Sequence, residues 1–465
     1  MSLDAGTLAA AVGGDVLVPG GAGYEEARRP AIARFHDIAP RAVVRCKSAE
    51  DVGAALALAR AEGVRVAVRS GGHCFAGRSS TEGVVIDVSP MNAVALDGDV
   101  AAIGAGARLG DVYDTLAQHG RTIAAGCGSE VGIAGLTLGG GLGILGRSHG
   151  LTADQLLGAR VVLADGRIVE ANERREPDLF WALRGAGGGQ FAVATSFSLR
   201  TLPAPELTTA LHLTWPEEHA AAVIGAWQEW LSGAPDAMAA SLLLSAPAEP
   251  ARPAAVNVFG AMIGASEEAA RLLAGLVERV GSRPSSSALT EARYRETKRR
   301  LAEQGPGEEV PGGHPYCKSE FFREPLPADA VERLVEQLVS DRRPGQSREL
   351  DFSPWGGAYN RVAAAATAFP HRDARFLLKP GAVLAPGADR EAARRWLTRT
   401  WEIAHPHGTG GAYVNFPDPE LEGPERAYHG ENLARLERVK AAYDPDRVFS
   451  FPQSVRPARP AGRPT

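Results

Sequence analysis

The sequence predicts an α+β protein of two domains, and three observations carry that expectation. A length of 465 residues exceeds what one ordinary hydrophobic core organises. The first part of the chain alternates short apolar strands with helices. The middle instead mixes longer strands with amphipathic helices, the pattern of a sheet covered by helices on one side. Pro203 and Pro205 interrupt the pattern between the two. The expected divisions are therefore 1–205, 206–410 and a C-terminal segment 411–465.

The elements follow from local chemistry. Ser48 is placed to cap a helix, with Asp51 completing a capping box, Val52, Leu56 and Ala59 inward and Gly63 at the stop. Val64, Val66 and Val68 alternate with Arg65, Ala67 and Arg69, the period of a strand. A helix over 111–119 buries Val112 and Leu116 and ends at Gly120. Residues 160–170 form a hairpin turning at Asp165-Gly166, and Pro177 opens a helix carrying Phe180, Trp181 and Leu183. Another alternating strand covers 191–199. In the middle, strands over 254–262 and 375–384 mix with helices over 267–280, 328–339 and 389–404. A last helix covers 431–443 with Leu433, Leu436 and Val439 inward, and the Pro- and Arg-rich end, 457–465, frays.

Composition excludes several functions. Hydrophobic residues at 45% and charged residues at 23% are globular values. A net charge of −5 and a pI near 6.2 argue against nucleic acid as a partner. The basic run over 293–300 is interleaved with glutamate and reads as a solvated helix. No apolar run is long enough to span a bilayer, and the first twenty residues lack the basic start and apolar core of a secretion signal. A reducing cytoplasm is the expectation. Cys46, Cys74, Cys127 and Cys317 are far apart and show no metal or redox spacing, nor do the histidines; no metal is expected.

The most informative stretch is Val66-Ala67-Val68-Arg69-Ser70-Gly71-Gly72-His73, a buried strand stopping at a loop that ends in histidine. Two glycines let the backbone approach a ligand closely, and successive amides in such a turn form an anion-binding concavity. A second glycine-rich stretch runs Gly135-Leu136-Thr137-Leu138-Gly139-Gly140-Gly141-Leu142-Gly143. Then come His149-Gly150-Leu151-Thr152-Ala153-Asp154, Asp178-Leu179-Phe180-Trp181-Ala182-Leu183-Arg184-Gly185, Tyr413-Val414-Asn415-Phe416 and Phe449-Ser450-Phe451-Pro452-Gln453-Ser454. Together, and in this order, they resemble the berberine-bridge-enzyme-like branch of the vanillyl-alcohol-oxidase superfamily, nearest in type to its hydroxynicotine oxidase and aclacinomycin oxidoreductase group.

That resemblance implies a two-part FAD-binding domain of the PCMH type, to which the C-terminal segment returns, and a substrate domain with an antiparallel sheet covered by helices. It implies FAD bonded covalently through His73. The carried-over cofactor contacts are Arg69, Ser70, Gly71, Gly72, Ser79, Gly126, Cys127, Ser129, Val131, Gly132, Gly135, Leu138, Gly139, Gly140, Gly141, Gly143, Val193, Tyr413 and Asn415. The pyrophosphate is expected on the loops Ser70 to His73 and Gly139 to Gly143. Some relatives add a cysteine thioether, but that position is Gly128 here. Cys127 lies one residue away, which turns a side chain of an extended segment to the other face. Attachment through His73 only is expected.

The implied activity is oxidation of a C–H next to oxygen or nitrogen in a small secondary metabolite, amine or glycoside, with molecular oxygen as acceptor. Val131 holds the position at which relatives control oxygen access, and valine there is permissive. Relatives use the second tyrosine of Y-x-N-Y as base; here it is Phe416, which has no proton to exchange. Candidate substitutes are Tyr359 and Glu320, and Asn415 is a further catalytic candidate that can hydrogen-bond the flavin. The alternatives are a dehydrogenase of the same fold and a flavin-binding protein lacking a base. Gly141-Leu142-Gly143-Ile144-Leu145-Gly146 also satisfies G-x-G-x-x-G with Asp165 downstream, a nicotinamide fingerprint, but no uninterrupted hydrophobic strand precedes it.

Overall fold

The computed structural model describes residues 5–303 and 310–459. Part of the tail expected to fray, 460–465, lies outside the described residues. Two small sheets build the first part. Ala42–Arg45, Val84–Asp87 and Val66–Arg69 run parallel, with Asp15–Leu17 antiparallel at the edge. The second sheet is antiparallel, in the order Val94–Asp97, Val100–Gly104, Ala192–Arg200, Leu156–Leu163, Ile168–Asn172. Its last pair is the hairpin expected around Asp165-Gly166.

The helix Ala49–Ala61 buries Val52, Leu56 and Ala59 as its periodicity requires, and Ser48 Oγ accepts the Asp51 N–H at 3.1 Å. The second half of the expected capping box does not form. Asp51 instead accepts from Gly13 N at 2.7 Å and Lys47 N at 2.8 Å, tying the N-terminal segment to this helix.

The middle of the chain forms an eight-stranded sheet of antiparallel pairs. Period-two alternation divides its faces. Leu213, Val258, Leu242, Phe352 and Leu378 share a core with Trp227, Leu276, Leu334 and Trp396 of four covering helices, Ala220–Gly233, Ser266–Val280, Ala328–Val339 and Arg390–Ala404. The opposite face carries His212, Asn257, Ser241, Asp351 and Lys379, one on each of five neighbouring strands.

One expectation is corrected here. The basic run does form a helix, Tyr294–Glu303, but it is docked rather than solvated. Lys298 is 1% exposed, and its Nζ donates to Ala125 O at 2.6 Å and Gly126 O at 2.7 Å. Arg295 and Arg299 pair with Asp114 at 2.7 and 2.8 Å. Burial above all brings Lys298 down to about 8. The charge pattern concealed this because a lysine that satisfies two backbone carbonyls looks, in sequence, like any surface lysine.

The helix Leu433–Tyr443 returns to the first core through Leu436 and Val439, while Leu433 is only half-buried. It is pinned by a fully buried ion pair, Lys440 Nζ to Asp444 Oδ2 at 2.6 Å, and Lys440 also donates to Gln190 O and Phe449 O. Lys440→Met strands the Asp444 carboxylate and is expected to cost about 3–5 kcal/mol. A double variant Lys440→Met/Asp444→Leu should recover part of that loss. Chemical denaturation of the three proteins checks both expectations.

His429 is fully buried and neither ring nitrogen has a partner among the described residues. Burial, then the nearby His371 and Arg78, push it down to about 3. The unfolded chain therefore binds a proton that the native state refuses. This contribution to stability is complete above about pH 6.5 and is lost as pH falls toward the native value, at about 1.4 kcal/mol per pH unit. His429→Leu should flatten that acid limb in thermal melts taken between neutral and acidic pH.

Candidate active site

A cleft of about 1250 Å³ runs along the first domain and reaches the C-terminal segment. Ser70, Gly71, Gly72 and His73 line it, because the strand Val66–Arg69 stops there and the chain turns with Gly72 at φ +73°. The wall opposite is Gly126, Cys127, Gly128, Val131, Gly132, Gly135 and Leu138, around the short helix Ile133–Leu138. Ser79, Tyr413 and Asn415 complete the expected residues that line it.

The two walls touch where neither can carry a side chain. A Cβ on Gly71 would lie 2.3 Å from Gly132 N, and one on Gly132 would lie 2.3 Å from Gly71 N. Ser70 Oγ donates to Ala105 O at 2.7 Å, fixing the loop. Burial first, and Arg108 second, lower the His73 pKa, so its imidazole is neutral at physiological pH. A neutral ring nitrogen is what covalent attachment needs.

Asn415 Nδ2 donates to Leu136 O and to the Tyr413 hydroxyl, both at 3.1 Å. That hydroxyl also accepts from Gly141 N at 3.0 Å. The Asn415 amide occupies the space a Cβ on Gly139 would need, 2.1 Å from Oδ1. The glycine stretch thus lets the C-terminal segment settle against the first domain.

Several expected contacts lie elsewhere. Gly139, Gly140, Gly141 and Gly143 do not line the cleft; they lie beneath Tyr413, Phe369 and Tyr359, while their neighbours Leu136 and Leu142 line it. Val193 is fully buried in the core, because strand alternation turns Ala192 and Ala194 to the cleft instead. Arg69 is buried behind the loop, donating to Ser79 O, Ala27 O and Arg28 O. Ser129 is exposed, its carbonyl accepting from Gly110 N. Cys127 does line the cleft, so the alternation argument against it does not hold in this curved segment.

The two substitute bases are also misplaced. Tyr359 is 2% exposed and stacks on Trp355, and its hydroxyl lies 3.1 Å from both Gly143 N and Gly143 O. Glu320 is buried against His405 Nδ1 at 2.8 Å and Gly410 N at 2.6 Å. Neither lines the cleft. The nicotinamide fingerprint also lacks its context: Gly146–His149, the helix after it, is a single turn.

Phe416 faces different groups. Its ring lies 6.1 Å from Phe75, 5.0 Å from Tyr413 and 5.3 Å from Lys379 Nζ. Lys379 Nζ in turn holds Glu349 Oε1 at 3.0 Å and Asp351 Oδ2 at 3.2 Å. Burial raises the Asp351 pKa, Lys379 lowers it and Glu349 raises it further. Burial alone would lower Lys379, but the two carboxylates outweigh it and raise its pKa. No local motif marks these three residues. Only the antiparallel pairing, with Asp351 opposite Lys379, brings them together.

A long cleft with glycine on both walls and a neutral histidine at its edge suits a dinucleotide cofactor. Gly71 and Gly132 pack backbone to backbone, and the cleft of about 1250 Å³ that they border, with glycine on both walls, has room for FAD. Residues 40–172 match an FAD binding domain, and 412–456 match the berberine and berberine-like family. The chain is 32% identical to an FAD-linked oxidoreductase of Bacillus subtilis, YvdP, over 96% of this chain and 98% of that protein. It is 31% identical to the glucooligosaccharide oxidase of Sarocladium strictum, over 90% and 88% of the two chains. The solved xylooligosaccharide oxidase of Myceliophthora thermophila, in complex with xylobiose, superposes with a TM-score of 0.87 at 28% identity, covering 99% of this chain and all of that one. The chain belongs to the berberine-bridge-enzyme-like family of FAD-linked oxidoreductases.

Among the described residues no helix is long and apolar enough to cross a membrane, and all four cysteines are free.

Proposed function

We propose that this chain is an oxidase with FAD bonded through His73, which oxidises a C–H next to oxygen or nitrogen in a glycoside- or amine-type small molecule and passes the electrons to oxygen. The observation that carries the reading is the neutral His73 imidazole at the end of the loop whose Gly71 meets Gly132 of the opposite wall. Bound FAD supplies the hydride acceptor and the route to hydrogen peroxide. Asn415, Val131 and the loop Ser70 to His73 hold it. A solved relative carries both cysteinyl and histidyl links to FAD, but Gly128 in place of the linking cysteine supports a single bond here.

Asp351, behind Phe416 with Glu349 and Lys379, takes the substrate proton in this reading; like Tyr359 and Glu320 it does not line the cleft, but its cluster borders Phe416, which does. Lys379 bridges the two carboxylates, which places an acid–base cluster beside Phe416.

Purified protein should be yellow, bleach anaerobically with a member of a panel of oligosaccharides and amines, and release peroxide in air. Phe416 favours one rival, a flavin-binding protein without turnover. Yellow protein that no panel member bleaches would support that rival. Bleaching without peroxide, with dye reduction instead, would mean a dehydrogenase.

A further inference from the structure

The helix Tyr294–Glu303 carries one buried charge that the proposed reaction does not use. Lys298 is packed behind the cleft wall. Its ammonium holds the Gly126 carbonyl, and Gly126 lines the cleft, as does Cys127, the next residue. Its other neighbours are ring faces: Nζ lies 4.2 Å from the Tyr113 centroid and 5.8 Å from that of Tyr294. Among the described residues no carboxylate pairs with it. Asp114, on the adjoining helix Leu109–Ala117, is taken by Arg295 and Arg299. Carbonyl oxygens and rings accommodate the ammonium's N–H groups without cancelling its charge, and an uncancelled buried charge is costly. A neutral donor would hold the same carbonyls at less cost, so the ammonium answers a negative charge that arrives nearby. His73 stands on the loop whose Gly71 meets Gly132, so a flavin ring bonded there lies against the wall formed by 126–132.

We propose that the Lys298 ammonium is the buried cation that stabilises the negative charge arising on the flavin when hydride is delivered, and so sets how readily the cofactor is reduced. The proposal rests on FAD lying in this cleft with its ring tethered at His73. A hydride brings two electrons and one proton, so the reduced cofactor carries one more negative charge than the oxidised one. A cation buried behind the wall is poorly screened and favours that charged form. Lys298 acts through the field across the Gly126 peptide and touches neither cofactor nor substrate. The titratable and charged groups around it are Tyr113, Cys127, Tyr294 and Arg295. Burial raises both tyrosines well above their ordinary range, so they stay neutral.

The test compares wild-type, Lys298→Met and Lys298→Arg holoproteins. The flavin midpoint potential is read by equilibration with reference dyes, and sulfite, which adds to the flavin as an anion, is titrated alongside. Lys298→Met should lower the potential and weaken sulfite at least about tenfold. Lys298→Arg keeps the charge and should stay within about threefold of wild type. The gap in potential between wild type and Lys298→Met should be full near neutrality. It should begin to close above about pH 8, where the ammonium starts to lose its proton. A packing defect would not vanish with that proton. An unchanged potential and sulfite affinity in Lys298→Met, an equal loss in Lys298→Arg, or a gap independent of pH overturns the proposal. If Lys298→Met forms no holoprotein, Lys298→Gln takes its place; failure of both makes Lys298 a folding residue and likewise overturns the proposal. Colour and acid-stable attachment in the wild type report on the flavin reading separately. A yellow, tethered Lys298→Met protein with the wild-type potential therefore removes this role alone.

Discussion

His73→Ala is expected to yield protein with no tethered flavin. Wild-type protein precipitated with acid should stay yellow, and its proteolytic digest should contain one flavin-bearing peptide spanning His73. The variant should release all its colour to the supernatant while keeping its fold, because His73 lines an open cleft and holds no described hydrogen bond. The imidazole is the only neutral nitrogen nucleophile on that wall of the cleft among the described residues. A variant that keeps an acid-stable chromophore sinks the assignment and moves the bond to one of the cysteines lining the cleft, Cys74 or Cys127. A wild-type digest with two links on one flavin would contradict the single-bond expectation while leaving His73 in place.

Asp351→Asn should slow anaerobic flavin bleaching by about 10²–10³-fold, the usual worth of a positioned base. In stopped flow the wild-type rate should rise with pH and then plateau, because Asp351 must be ionised to accept a proton. Its pKa is raised by burial, so the midpoint should lie above that of an ordinary aspartate. Lys379→Met removes the ammonium that favours the ionised form, and the midpoint should move to higher pH. Glu349→Gln removes a like charge, and the midpoint should move lower. A variant that merely disturbed packing would change the rate without moving the midpoint in these opposite directions. An unchanged rate in Asp351→Asn would return the base to another group.

Much of the site was legible in the primary structure because it is local. The loop Ser70 to His73 is a contiguous run whose backbone shape follows from two glycines, and its packing partner Gly132 sits in an equally compact stretch. Helices such as Ala328–Val339 were legible from their period. Errors arose where a side chain's role depends on something distant. Val193 is an expected cofactor contact, but strand pairing turns it into the core. Tyr359 and Glu320 have the right chemistry for a base, yet both spend it on backbone groups and a neighbouring histidine. Lys298 looked like one charge among many until two carbonyls from another element were found beneath it.

The order of residues along the chain thus determined the run of elements, the glycine loop that ends at His73 and the phenylalanine at 416 where the resemblance implies a phenolic base. Those features are fixed by neighbours within a few positions, where dihedral preference and residue chemistry act directly. Tertiary structure alone decided what stands near Phe416 and which rings stack on Arg34. Glu349, Asp351 and Lys379 converge through strand register, and Arg34 meets Tyr316 across almost three hundred positions. Such contacts are a property of distances in space, and no local pattern of residues encodes them.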